Sequence, residues 1–144
     1  MKSKFFLSLL FLISIYSLKG NSISTKDSLT GTWQLSYLKS NFTVIDSLFP
    51  SNLPSVHIIQ HLQFISGNAG CNSFSGTFSL TRDSIKFNKP LAMTMMACPF
   101  SGETVFIKIL NEINHYKIKS GELFLYKNKQ VVMKFRRTID EDKD

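Results

Sequence analysis

The sequence predicts a mainly β domain of the α+β kind: an antiparallel curled sheet or small barrel with one packed α-helix. Three observations carry this. Most of the chain alternates apolar and polar residues with period two, the connections are hairpin-short, and one stretch near residue 105 switches to a helical period. Period two turns successive side chains to opposite faces, so one apolar face must be buried. Short connections make neighbouring strands antiparallel. A lone amphipathic helix must then lay its stripe on the sheet or plug the end of a curled barrel.

The elements follow in order. "TWQLSYL" (32–38) places Trp33, Leu35 and Tyr37 on one face, just after Gly31. The segment 40–54 holds Pro50 and Pro54 and no sustained period, so it reads as a loop long enough to be a lid or an irregular edge. "HLQFIS" (61–66) places Leu62 and Phe64 together before the turn cluster "GNAG". "SFSGTFSLT" (73–81) alternates Phe74, Gly76, Phe78 and Leu80, "RDS" makes a tight return, and "IKF" (85–87) continues with Ile85 and Phe87. A short extended stretch is expected at "LAMTM" (91–95). From 101 to 114, Val105, Phe106, Ile109, Leu110 and Ile113 form one helical stripe. Ser101 suits the N-cap after Pro99, Glu103 suits the positive end of the dipole, and Lys108 and Glu112 are four apart on the polar face. "HYKIK", "GELFLY" and "QVVMKFRR", joined across Ser120-Gly121 and by "KNK", close the chain as a three-stranded meander.

The first twenty residues stand outside this fold. Lys2 and Lys4 precede an apolar run from Phe5 to Ile13, followed by Ser14, Ser17 and Gly20. That is the layout of a secretory signal peptide, too short for a spanning helix of roughly 20 residues. The expected organisation is a signal peptide at 1–20, a linker at 21–27, one domain at 28–137 and an acidic tail at 138–144. Without the lysines of the first segment, the formal charge falls from +7 to +4. The charges are scattered, whereas a nucleic-acid footprint needs a basic patch with interleaved aromatics, so no nucleic-acid partner is expected. Cys71 and Cys98 are the only cysteines. An even pair in an oxidising compartment reads as a disulfide.

Several sharper readings weaken on the residues themselves. In "LAMTMMACP", soft ligands would have to converge on one ion to hold copper. Along a strand Met93 and Met95 share a face roughly 7 Å apart while Met96 points away, so the methionines read as core packing. Cys98 precedes the helix start but has no Cys-x-x-Cys partner, which favours a structural disulfide over a reactive thiol. His57 and His61 in "HIIQH" span roughly 13 Å if extended, and His115 lies after the helix, so no metal triad is expected. "GNAGCNSFSG" lacks the Lys-Ser/Thr pair of a phosphate loop and runs into a strand. There, Gly67 and Gly70 would permit positive φ, Gly76 would allow close packing or a bulge, and the Asn72 amide could cap the turn. "NFT" (41–43) is a glycosylation acceptor only in a host with an endoplasmic reticulum. No catalytic, cofactor or metal residues are assigned.

Three stretches taken together resemble one known family. "NAGCNSFSGTF" (68–78), "PLAMTMMACP" (90–99) and the helix with Glu103 and Phe106 are similar to the META-domain family, the HslJ-like proteins. Its pattern pairs Gly-Cys-Asn-x-Phe-Ser-Gly with a later Leu-Ala-x-Thr-x-Met-x-Cys. Here these are Gly70, Cys71, Asn72, Phe74 and Gly76, then Leu91, Ala92, Thr94, Met96 and Cys98, read as structural residues. The resemblance covers about residues 28 to 137 and implies lipocalin-like barrel topology with one packed helix. Gly31-Thr32-Trp33 also resembles the opening Gly-x-Trp of lipocalins. It further implies an exported setting, with relatives associated with envelope stress, antibiotic tolerance and, in some protozoa, virulence, and no established enzymatic activity. Two departures are Ser73, where the family is often basic, and the lack of a lipidated cysteine behind the leader. The expectation is a soluble, exported, periplasmic or extracellular monomer. It would be a non-enzymatic, stress-related binding or accessory domain without cofactor or stable membrane anchor, its partner an unknown protein or a small apolar ligand. The alternative is a lipocalin-like carrier of a small apolar ligand, with the sheet interior as pocket and the 40–54 loop as mouth.

Overall fold

The computed structural model describes residues 28–40, 44–98 and 102–138. The signal-peptide and linker readings, the "NFT" acceptor, Pro99, the Ser101 cap and the tail beyond Thr138 lie outside the described residues. Nine strands and two helices occur in the order β1 (Gly31–Leu38), α1 (Ile45–Leu48), β2 (Ser55–Ile59), β3 (Phe64–Asn68), β4 (Ser73–Thr81), β5 (Ser84–Phe87), β6 (Ala92–Met93), α2 (Glu103–Leu110), β7 (His115–Lys119), β8 (Glu122–Lys127) and β9 (Gln130–Arg137). Eight strands close an antiparallel barrel: β1 through β5 pair in sequence, β5 meets β7, β7 through β9 continue, and β9 returns to β1. The short β6 lies outside this ring, on the first half of β4, where Phe74 opposes Met93 and Ser75 opposes Ala92.

The barrel is filled. Trp33, Phe78, Ile65, Ile85, Leu123, Met133 and Phe135 point inward with no more than traces of exposure. Helix α2 supplies the plug: Phe106 and Leu110 are fully buried, and the Phe106 ring lies 5.9 Å from Phe74 and 6.4 Å from Phe135. Phe78 and Phe87 meet edge to face at 6.1 Å. At the end where Trp33 sits, its Nε1–H donates to the Leu29 carbonyl at 3.0 Å. The Arg137 guanidinium covers the indole 4.1 Å from its centroid and donates to the carbonyls of Thr30 and Ser28. Burial pulls the pKa of Arg137 below its ordinary value.

The structure corrects the strand reading in four places. Tyr37 does not share a face with Trp33 and Leu35: a bulge between Leu35 and Tyr37 turns it outward, 41% exposed, and sends Leu38 inward. Strand β2, which the sequence reading did not assign, alternates in the structure, with Val56 and Ile58 buried and His57 exposed. The adjacent Ile59 and the preceding Pro54 blur that pattern in the sequence. The expected pairing of Leu62 with Phe64 also fails. A 3-10 turn at Gln60–Leu62 and a left-handed Gln63 reset the phase, so Ile65 is the residue that enters the core and Leu62 is exposed. Gly67 has no positive φ; it lies in β3, where a side chain would strike the Ser55 carbonyl.

The helix and the loop are corrected too. Helix α2 ends at Leu110, so Ile113 is buried from the turn beyond it. Glu112, in the turn beyond the helix, pairs with Lys127 at 2.8 Å while remaining within reach of the Lys108 charge. The 40–54 segment contains helix α1 and seats Leu48 and Phe49 in the core, with the Gly102 N–H donating to the Leu48 carbonyl at 2.7 Å. Phe49 packs against Gly70 and Gly102, so the segment covers the start of α2 instead of lining an open mouth.

Truncating Phe106→Ala removes the plug's largest side chain and should cost about 3–5 kcal/mol. Leu62→Ala, at a position 61% exposed, should stay within about 0.5 kcal/mol. Urea unfolding followed by the fluorescence of the single tryptophan, Trp33, reads both.

Candidate functional site

The two sequence motifs meet at one buried polar side chain. Asn72 is 4% exposed and follows the turn that joins β3 to β4. Its Oδ1 accepts from the Met96 N–H at 2.7 Å and the Thr94 hydroxyl at 2.8 Å. Its Nδ2 donates to the Met96 carbonyl and to Glu103 Oε1, both at 3.1 Å. An asparagine amide offers two donors and two lone pairs, and here all four are used. The Asn72 backbone N–H donates to the other Glu103 oxygen at 2.7 Å, so one carboxylate at the start of α2 grips the same residue twice. Ser73 and Thr94 exchange further bonds, N–H to Oγ1 at 3.1 Å and N–H to carbonyl at 3.0 Å.

The expected turn cap falls to a different asparagine. Asn68 Oδ1 accepts from the Gly70 N–H at 2.7 Å and its Nδ2 donates to the Cys71 carbonyl, while Asn72 reaches across to the second motif. The remaining motif residues are packing partners. Gly70 has φ +107°, a conformation glycine alone adopts freely, and the Phe49 ring lies over it. Leu91 rests on Gly76, where any β-carbon would collide with it. Phe74 faces Phe106, and Ala92 holds the register of β6.

Cys71 and Cys98 come to disulfide distance, with Cα atoms 6.3 Å apart, inside the range bridged pairs occupy. They border an open cleft of about 370 Å³ whose other walls include Phe49, Asn52 and Met96. The methionines beside it are not core. Strand β6 ends at Met93, which alone packs partly against the interior; Met95 is 96% exposed and Met96 61% exposed. Alternation along "LAMTMM" is lost because the Met96 backbone bonds to the Asn72 side chain instead of to a strand.

The histidines are dispersed. His57 stands on β2 against the Thr32 hydroxyl at 3.1 Å, His61 lies on the 3-10 turn rather than in an extended run, and His115 Nδ1 contacts Asn114 Oδ1 at 3.0 Å. Among the described residues no three His, Cys, Asp or Glu side chains are grouped as metal ligands would be. Among those residues, too, no helix is long and apolar enough to cross a membrane. A larger groove of about 700 Å³ runs between α2 and the β8–β9 hairpin. Its floor is Val105, Ile109 and Val132, and its rim carries Lys39, Lys108 and the Lys127–Glu112 ion pair. No feature of the sequence reading marked this groove, because its walls come from elements far apart in the chain.

Comparison with protein families matches residues 27–139 to the META domain. The chain belongs to the META-domain family. Comparison of this META domain with curated proteins finds no match. Among solved structures it is similar to a protein from Burkholderia xenovorans determined by NMR, with TM-score 0.60 and 21% identity over 75% of this chain and 81% of that one. It is also similar to a DUF4847 family protein from Bacteroides vulgatus, with TM-score 0.51 and 17% identity over 76% and 93% of the two chains. At these identities the likeness is one of fold. The matched region contains both halves of the Asn72 cluster, which is where the family motif has its physical meaning.

Replacing Asn72 by alanine strands the Met96 N–H and part of the Glu103 carboxylate in a part-buried site. At about 1–3 kcal/mol for each stranded group, a loss of about 3 kcal/mol is expected in urea unfolding. Asn72→Asp should do at least as much damage, because it sets a second carboxylate against Glu103. The cysteines are tested separately. Intact mass after alkylation should show no modified thiol until a reductant is added. The Cys71→Ser/Cys98→Ser pair should lose about 3–4 kcal/mol, the chain-entropy value for this loop.

Proposed function

We propose that this META domain is an exported, non-enzymatic accessory domain of the cell envelope, monomeric and stress-related, that acts by binding through its outer surface. The observation that carries this reading is the filled barrel. Phe106, Phe78, Phe135 and Trp33 occupy the space a lipocalin-like carrier would leave for its cargo, and Leu48 and Phe49 cover the start of α2. A buried ligand of a few hundred cubic ångströms has nowhere to go. A cysteine pair at disulfide distance suits an oxidising compartment, in keeping with the leader-like first twenty residues. The stress association rests on the family resemblance.

A second reading has one observation in its favour. The groove beside α2 has an apolar floor and a basic rim, so a small apolar ligand with an acidic head could lie outside the barrel rather than within it. The two readings part in native mass spectrometry of protein purified from its source. The accessory reading expects a monomer without ligand, lacking the leader. A stoichiometric apolar ligand, lost in Ile109→Glu, would replace it with the carrier. Cell fractionation should place the protein in the envelope, and a deletion strain should lose tolerance to envelope stress. A cytosolic location would end the exported reading.

A further inference from the structure

The charges that look scattered along the chain are gathered by strand register on one wall of the barrel. Strands β1, β9, β8 and β7 are consecutive neighbours. Tyr37 opposes Lys134, Lys134 opposes Phe124, and Phe124 opposes Lys117, giving a single outward row of aromatic, cation, aromatic, cation. Tyr37 joins this row only because the β1 bulge turns it outward. The Lys134 ammonium lies 5.5 Å from the centroids of both the Tyr37 and the Phe124 rings, which hold it between them. The next row outward reads Gln34, Arg136, Glu122, Lys119 across the same four strands. The two rows thus carry four cations and one carboxylate, and that carboxylate already faces Arg136 at 3.5 Å.

We propose that this wall is a binding surface for an acidic polysaccharide. Lys134 and Lys117 stand two strands apart, roughly 10 Å, and the second row repeats cations beside them, so the array is periodic in the plane of the sheet. A polyanion with carboxylates at regular intervals meets several of these charges at once, whereas a compact acidic ligand meets one or two. Tyr37 and Phe124 give their faces to the Lys134 ammonium, which leaves no open platform for nucleobases to stack on. Tyr37 is the exposed large side chain of the two rows, and its ring, like that of Phe124, is covered by the Lys134 ammonium, which disfavours insertion into a lipid interface. The choice of a glycan as the polyanion rests on the exported reading above; the cation array itself does not.

The test is calorimetric titration of the folded protein with a size-defined oligogalacturonate at low ionic strength. The wild type should bind with an affinity that falls as salt is added. Lys117→Gln/Lys134→Gln/Arg136→Gln should weaken binding by about tenfold or more, as expected for losing three polyanion contacts. Arg82→Gln/Lys86→Gln/Lys89→Gln removes the same charge away from the wall and from the groove beside α2, and should stay within about twofold. Tyr37→Leu/Phe124→Leu keeps every charge but frees Lys134, and should weaken binding by about threefold. Equal losses in the two lysine-rich triples, or no binding by the wild type, would overturn the proposal. Tighter binding of a single-stranded oligonucleotide or of anionic phospholipid vesicles to the same wall would overturn its assignment to a polysaccharide. Failure of the exported reading shows up elsewhere, in cell fractionation.

Discussion

The architecture hangs on the side-chain amide of Asn72. Among the described residues Asn72 is the one buried polar residue, and it survives there because every donor and acceptor it has is matched. Those partners tie Asn72's own segment, leading into β4, to two other pieces of chain: the run through Thr94 and Met96, and the first residue of α2. A polar group buried without partners is costly, so the amide tolerates few arrangements of the three pieces. Once Glu103 is fixed against Asn72, the phase of α2 is fixed too, and Phe106 three residues on is aimed into the barrel between Phe74 and Phe135. The polar cluster sets position; the apolar plug supplies most of the stabilisation.

This division of labour explains why residues that look chemical turn out to be structural. Glycines, an asparagine, a threonine and two cysteines within two short motifs are the usual ingredients of a ligand loop. Here Gly70 and Gly76 make room for Phe49 and Leu91, Thr94 and Asn72 satisfy each other, and the cysteines flank the cluster from its two sides. With interior and motif both committed to holding the fold, the groove beside α2 and the four-strand wall lie on its outside.

Much of the fold was legible because its determinants are local. Period-two runs marked seven of the nine strands, the 3.6-residue stripe marked α2, and "RDS", Ser120-Gly121 and "KNK" marked hairpins whose turns hold Arg82, Ser120 and Asn128 at positive φ. What escaped depends on partners distant in sequence or on breaks in phase. The bulge that turns Tyr37 outward, the left-handed Gln63 that brings Ile65 inward, and the loss of strand pairing after Met93 are each a one-residue event that alternation alone cannot register. The site was legible as a list of residues but not as an arrangement. Nothing local says that Asn68 caps the turn and Asn72 does not; that choice is made by Glu103, thirty-one residues away.

Ring closure between β1 and β9 has a consequence for the order of events as the chain folds. Gln34 pairs with Arg136, so the last seam joins residues from opposite ends of the domain. Contacts of such long range carry the largest loop-closure cost and form late. The plug arrives from between β6 and β7, so neither the strands before it nor those after it can complete an interior alone. A chain still emerging from a ribosome or a translocation pore, with β9 not yet delivered, therefore has no closed intermediate to fall into. Closing the ring thus waits for β9, the last strand to be delivered.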